Sequence, residues 1–256
     1  MFRTIRIPWL HDRHSHVSFY ASLSGCLSLA DKSREDALAD LRALPEDQLS
    51  MVFGWHSAKL PFTMDDLKPL PPAIIVNFSM HGFALSGEGE RMLAQTQPEM
   101  AANWRDSSWS ERNLPSLLET FSRTARITPD KLDLYMGRME ALGLGAVDDM
   151  LVSGDEAFEV IRRSAWGGHV LCWASPETFR SLSPASQEAC AGLKFFTDGA
   201  LGSRTAGLRG TFLDGQGGML LHSDENLFGM LGEAHPSRKP LAIHAIGDGA
   251  IEQVLT

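Results

Sequence analysis

From Gly145 onward the sequence alternates short β-branched or apolar runs with stretches of helical spacing, and this rhythm constrains the fold more than any other feature. Gly145 to Leu151 reads as a strand and Asp155 to Arg163 as a helix. His169 to Trp173 reads as a strand, and Pro176 to Cys190 holds one or two helical turns. Leu193 to Thr197 is a strand, Asp224 to Ala234 a helix, Leu241 to Ala245 a strand and Asp248 to Leu255 a helix. Strand and helix alternating in this way predict parallel βαβ units, and in such architectures chemistry sits at the carboxyl ends of the strands.

The earlier half is less regular. Arg3 to Leu10 is a predicted strand whose pairing Pro8 restricts. Ser33 opens a helix that runs to about Leu44 with a capping-box-like start. Short strands are expected at Met51 to Trp55 and Ala73 to Phe78. Residues 88–112 are polar and weakly periodic, which predicts an irregular excursion. Leu114 to Arg126 and Pro129 to Leu142 read as helices, the second with Thr128 as cap and Gly143 as stop. Leu114, Leu117, Leu118 and Phe121 fall at helical spacing and belong to packing. The expectation is one α/β domain over residues 1–256, with an inserted region at about 31–130.

Three predicted strand ends carry groups able to bind a metal. In His14-Ser15-His16, an extended backbone sends both imidazoles to one side. Lys194 stands inside the apolar run Leu193-Lys194-Phe195-Phe196, where burial penalises an ammonium. Either its stem is buried with its head in water, or the amine is neutral and consumed by chemistry such as a carbamate. The third end is His244, within Leu241-Ala-Ile-His244-Ala-Ile-Gly-Asp248.

A net charge of −9 argues against a nucleic-acid backbone or an anionic membrane surface as partner. Cys26, Cys172 and Cys190 are widely spaced, without a CxxC, which predicts a reducing, cytoplasmic setting and no thiolate zinc site. No apolar run reaches membrane-span length. The faint leader-like pattern of Arg3, Arg6 and Val17 to Ala30 is set aside, because serines and histidines interrupt it.

The strand-terminal HxH, the segment Lys194-Phe-Phe-Thr-Asp198-Gly-Ala-Leu-Gly-Ser-Arg204-Thr-Ala and the ending HAIGD together resemble the amidohydrolase superfamily. The nearest branch is the one containing N-substituted formamide deformylase. Gly54-Trp55 and Met80-His81-Gly82 share in the resemblance, which covers most of the chain. It implies a (β/α)₈ barrel of the TIM-like, metal-dependent hydrolase type. It implies that His14 and His16 bind one metal ion, that Lys194 is carboxylated and bridges two metals where two are bound, and that His244 is the ligand from the fifth barrel strand. His81 falls where relatives place a histidine toward the substrate. The cofactor implied is Zn2+ or another divalent metal, one or two ions. The reaction implied is hydrolysis of an amide or other C–N bond of a small molecule by a metal-bound hydroxide.

Two pieces of that pattern are not found: a histidine ending the sixth barrel strand and a proton-shuttling aspartate ending the eighth. The expected fold is therefore a partial barrel lacking the last strands and the accessory β-sandwich. Three readings follow: part of a longer enzyme, a catalytically incompetent binding or interaction protein, or a chain completed by another chain or by homo-oligomerisation. His222 and His235 read as loop histidines, and His169 lies at the amino end of its strand. Asp198 either contacts substrate or holds the Asp-Gly turn. Arg204 either clamps an anionic substrate group or pairs with a nearby carboxylate. Asp248 reads first as a helix cap; Trp55 and His56 either line a pocket or, as is commoner for a tryptophan, Trp55 belongs to the core.

Overall fold

The computed structural model describes residues 7–78, 80 and 82–256. His81, expected toward the substrate, lies outside the described residues, as do Arg3 to Arg6 of the first expected strand. Nine strands are described: β1 Leu10–Ser15, β2 Leu27–Ser28, β3 Ser50–Trp55, β4 Ala73–Asn77, β5 Phe83–Leu85, β6 Leu144–Asp149, β7 Val170–Ala174, β8 Gly192–Phe196 and β9 Leu241–His244. The chain divides into two compact units, the first comprising residues 1–24 and 126–194, the second residues 25–125 and 195–256.

In the first unit, β1, β6, β7 and the start of β8 lie side by side in that order, every pair parallel. Helices Asp155–Arg163, Pro176–Ser181 and Pro184–Ala189 supply the crossovers. Val147, Val170, Cys172 and Ala174 on one face of the sheet join Val17, Leu132, Met136, Phe158 and Ile161 from the helices in a single buried cluster. The opposite face therefore carries the alternate residues.

In the second unit, β2, β3, β4 and β5 form a separate four-stranded sheet, parallel except for the antiparallel last pair. Leu29, Leu38, Leu41, Val52, Leu67 and Ile75 fill its core. The same unit holds the end of β8 and all of β9, joined where the Thr197 N–H donates to the His244 carbonyl at 3.0 Å. This is an α/β fold built on parallel strands, as the alternation predicts.

Local signals set the helix starts. The side chains of Ser33, Thr63, Ser86, Thr128, Ser175, Ser183 and Ser223 each accept a hydrogen bond from a backbone N–H in the first turn. Each such cap stabilises its helix by about 1 kcal/mol. Gly143, at φ +87°, ends the Pro129–Ala141 helix in the left-handed conformation glycine accepts without strain.

Two expectations need correcting. Residues 88–112 are not irregular: they form helices Gly87–Leu93, Pro98–Asn103 and Ser107–Arg112. Each has six or seven residues, too few to display a period, and Ser86, Pro98 and Asp106 mark their starts. The first strand also sits later than the β-propensity of RTIRIPWL suggests. Ile7, Pro8 and Trp9 are outside it, and it runs through the polar Leu10–Ser15 because pairing with β6 extends the backbone there.

Candidate metal centre

The register of β1 against β6 orients the first two histidines. Asp12 pairs with Val147 and Ser15 with Asp149, so three steps on β1 match two on β6, a bulge. Asp149 turns toward the helix layer, where its carboxylate accepts the Ser18 N–H at 2.9 Å near the start of the Val17–Ser22 helix. Ser15, its partner, shares that face. His14 and His16 consequently take the other face, with ring centres 5.8 Å apart in an edge-on arrangement. The His14 N–H is tied back to Asp12 Oδ1 at 3.0 Å.

Lys194 is placed by the same logic. Trp173 pairs with Gly192 and Ala174 with Leu193. Since Ala174 faces the helices, Gly192 and Lys194 face the opposite side, together with Trp173. A Cβ at position 192 would lie 2.1 Å from the Trp173 ring, so only glycine fits under the indole. Lys194 is only 2% exposed, and burial pulls its ammonium down from 10.5 to about 8. His14, His16 and Lys194 thus share one face of the first unit's parallel sheet, at or near the carboxyl ends of β1 and β8.

That face also holds Asp148, which sequence reasoning missed. It is 3% exposed, accepts a hydrogen bond from His11 Nε2 at 2.8 Å, and has the Arg13 guanidinium 3.8 Å away. The alternation of β6 was legible, yet nothing in Val147-Asp148-Asp149 says that both carboxylates are buried.

In the second unit, His244 ends β9. Its Nε2 lies 3.0 Å from the Gly199 carbonyl and 3.6 Å from Asp198 Oδ1, and its ring is tilted against Phe196. A carbonyl only accepts, so Nε2 carries a proton, and in the neutral imidazole the acceptor nitrogen is then Nδ1. Asp198 is 1% exposed and accepts N–H groups from Gly207 at 2.9 Å, Ile246 at 3.0 Å and Gly247 at 2.7 Å. Arg204, at φ +60°, pairs with Asp214, the second of its two sequence readings. A further buried carboxylate, Glu111, accepts the hydroxyls of Ser203 at 2.8 Å and Thr205 at 2.7 Å, anchoring the loop after β8. Its sequence context, Ser-Glu-Arg in a polar stretch, carries no sign of this.

The remaining candidates have ordinary partners. Trp55 donates through Nε1 to the Leu60 carbonyl and stacks on Phe62. His169 bonds the Gly145 carbonyl at the amino end of β7. Asp248 accepts the Arg209 N–H at 3.0 Å from the first turn of its helix.

Among the described residues, no group of three or more His, Cys, Asp or Glu side chains is disposed to hold a metal ion. The three strand-end histidines, His14, His16 and His244, are not gathered as such a group. Taken by itself the His14–His16 pair fits: two imidazoles bound to one ion through nitrogens about 2.0–2.1 Å away have ring centres ~5–6 Å apart. His244 also fits, since metal-bound imidazoles commonly donate their second N–H to a carbonyl or carboxylate.

The α/β fold built on parallel strands is consistent with part of a TIM-like metal-hydrolase barrel, and comparison with known proteins agrees. The profile of the amidohydrolase family matches residues 7–256, and the chain belongs to that family. YtcJ of Bacillus subtilis (strain 168), which carries an amidohydrolase name, is 43% identical over 65 residues, covering 25% of this chain and 12% of that protein. Among solved structures, an uncharacterized metal-dependent hydrolase from Pyrococcus horikoshii OT3 superposes with a TM-score of 0.68 at 22% identity. Another from Pyrococcus furiosus gives 0.62 at 23%. Both alignments cover 97% of this chain but only 55% and 57% of those structures, so the chain spans little more than half their length. These structural likenesses speak to the fold. No helix among the described residues is long and apolar enough to cross a membrane.

Proposed function

We propose that this chain contributes the first part of a metal-dependent hydrolase site acting on an amide or other C–N bond of a small molecule, within the branch that contains N-substituted formamide deformylase. His14, His16, Lys194 and His244 are the proposed ligands of one or two divalent ions, zinc first among them, with Lys194 as a carbamate. The observation that carries this reading is the His14–His16 pair, two imidazoles on one side of a strand's carboxyl end in a member of the amidohydrolase family. The buried lysine of β8 supports it, because burial disfavours the charged ammonium.

When bound, such an ion makes water acidic enough to supply a nucleophile at neutral pH and polarises the carbonyl under attack. The chain's own residues provide the rest. His14 and His16 offer two ring nitrogens at and just past the end of β1, where the bulge brings them together. His244 presents Nδ1 because Gly199 holds the proton on Nε2. Glu111 and Asp198 keep the loop after β8 in one conformation, so that groups on it meet a substrate without reorganisation.

A binding protein that has lost catalysis is the competing reading, favoured by the lack of a three-membered His, Cys, Asp or Glu cluster among the described residues. Metal analysis of purified protein separates the two. The hydrolase reading expects close to one or two equivalents of zinc, lost in the His14→Ala/His16→Ala double variant. Less than a tenth of an equivalent in the wild type, with folding unchanged by the double substitution, leaves only the binding protein.

A further inference from the structure

We infer that the turn Thr197-Asp198-Gly199 is the positioning element for His244, with Asp198 at its centre acting on the protein and not on substrate. The inference rests on the reading of His244 as a metal ligand, but its geometry lies wholly within the second unit. Each residue of the turn grips β9 or the backbone just beyond it. Thr197 donates twice to the His244 carbonyl, from its N–H at 3.0 Å and its hydroxyl at 2.6 Å. Asp198 takes the N–H groups of Ile246 and Gly247, two and three residues past the histidine. Gly199 receives the ring Nε2–H. The imidazole is therefore fixed at its backbone, beyond its backbone and at its ring.

Asp198 does a second thing. Its Oδ2 also takes the Gly207 N–H, so one carboxylate joins the loop after β8 to the end of β9. The two backbones are pressed together there: a Cβ at Gly247 would lie 2.2 Å from the Gly207 carbonyl oxygen. Three peptide dipoles aimed at one buried carboxylate form charge-assisted hydrogen bonds, the stronger kind. The same charge, 3.6 Å from Nε2, favours keeping a proton on that nitrogen. A carboxylate so engaged has no call on a substrate. The Gly-Asp of HAIGD follows from this: Gly247 permits the close approach, and Asp248 ties down Arg209 on the same loop.

The test is nitrogen NMR of the metal-free, ¹⁵N-histidine-labelled protein at pH 8, with the His244 signals assigned by their loss in His244→Gln. The wild type is expected to show the Nε2–H tautomer alone. Asp198→Asn, which offers the three N–H donors one oxygen fewer, is expected to mix the two tautomers and to weaken zinc binding by about 10–100-fold, the usual effect of removing an outer partner of a ligand. If Asp198→Asn does not fold, Thr197→Val and Thr197→Ser carry the same readouts: valine weakens zinc binding about 10-fold at the low end of that range, and serine, keeping the hydroxyl, restores it. A wild-type Nδ1–H tautomer overturns the inference. So does a folded Asp198→Asn with an unchanged tautomer and zinc affinity within about twofold of wild type. A wild type that binds no zinc removes the metal reading while the tautomer still decides this one.

Discussion

Asp149→Asn is expected to stabilise the protein at neutral pH, and the effect should fade in acid. Asp149 is fully buried, and burial raises its carboxyl from 3.8 to about 6 against the opposing pull of the Ser18 and Leu151 N–H groups. Below about pH 4 the folded and unfolded chains both hold the proton, and the group is neutral in the balance. Between about 4 and 6 the folded chain keeps a proton that the unfolded chain has released, so stability falls as pH rises. Above about 6 the whole penalty is present. At about 1.36 kcal/mol per pH unit it is of order 3 kcal/mol. Asparagine carries no charge to bury, and its oxygen still accepts the Ser18 N–H. Its amide hydrogens need new partners, at a cost of about 1–3 kcal/mol, which leaves a net gain of about 0–2 kcal/mol at pH 7.5. Cys172 does not complicate the titration, because burial and the neighbouring Asp149 push its thiol well up. Urea unfolding of both proteins at pH 7.5 and 4.5 measures the difference, which should shrink by about 2 kcal/mol at the lower pH. A difference that is the same at both pH values refutes the reasoning.

Gly192→Ala should lower the thermal midpoint, since the new methyl meets the Trp173 ring and overpacking of this kind costs about 1–3 kcal/mol; an unchanged midpoint would show that the indole moves aside freely. Glu111→Leu leaves the Ser203 and Thr205 hydroxyls without their carboxylate and should destabilise by about 1–3 kcal/mol, with faster proteolysis within the loop after β8. Arg204→Ala breaks only a half-exposed ion pair with Asp214 and should cost less than about 1 kcal/mol in the same assay. A large loss of stability there would show that the arginine is structural in some further way.

Much of the framework was legible in the chain itself. Helices Asp155–Arg163, Asp224–Ala234 and Asp248–Leu255 begin and end where acidic first turns and apolar spacing place them. The strands from β6 to β9 lie within about two residues of their expected bounds, because runs such as Leu193 to Phe196 have few alternatives once buried. Tertiary causes were not legible. β1 is a strand because β6 pairs with it, against the preference of His, Asp and Arg. Helices of six or seven residues are held by caps and packing, and they leave no periodic trace. Glu111, Asp148 and Asp149 are buried carboxylates, and a sequence read residue by residue assigns charge to the surface. Asp198 showed its turn but not its partners, which stand up to 49 residues away.

Anomalous X-ray scattering at the zinc edge from crystals grown with zinc and bicarbonate bears most directly on the metal reading. The account predicts a peak about 2.0–2.1 Å from one ring nitrogen each of His14 and His16, with His244 ligating that ion or a second one beside it, and added density on the Lys194 amine. Zinc bound elsewhere on the chain, or no peak beside these imidazoles, contradicts it.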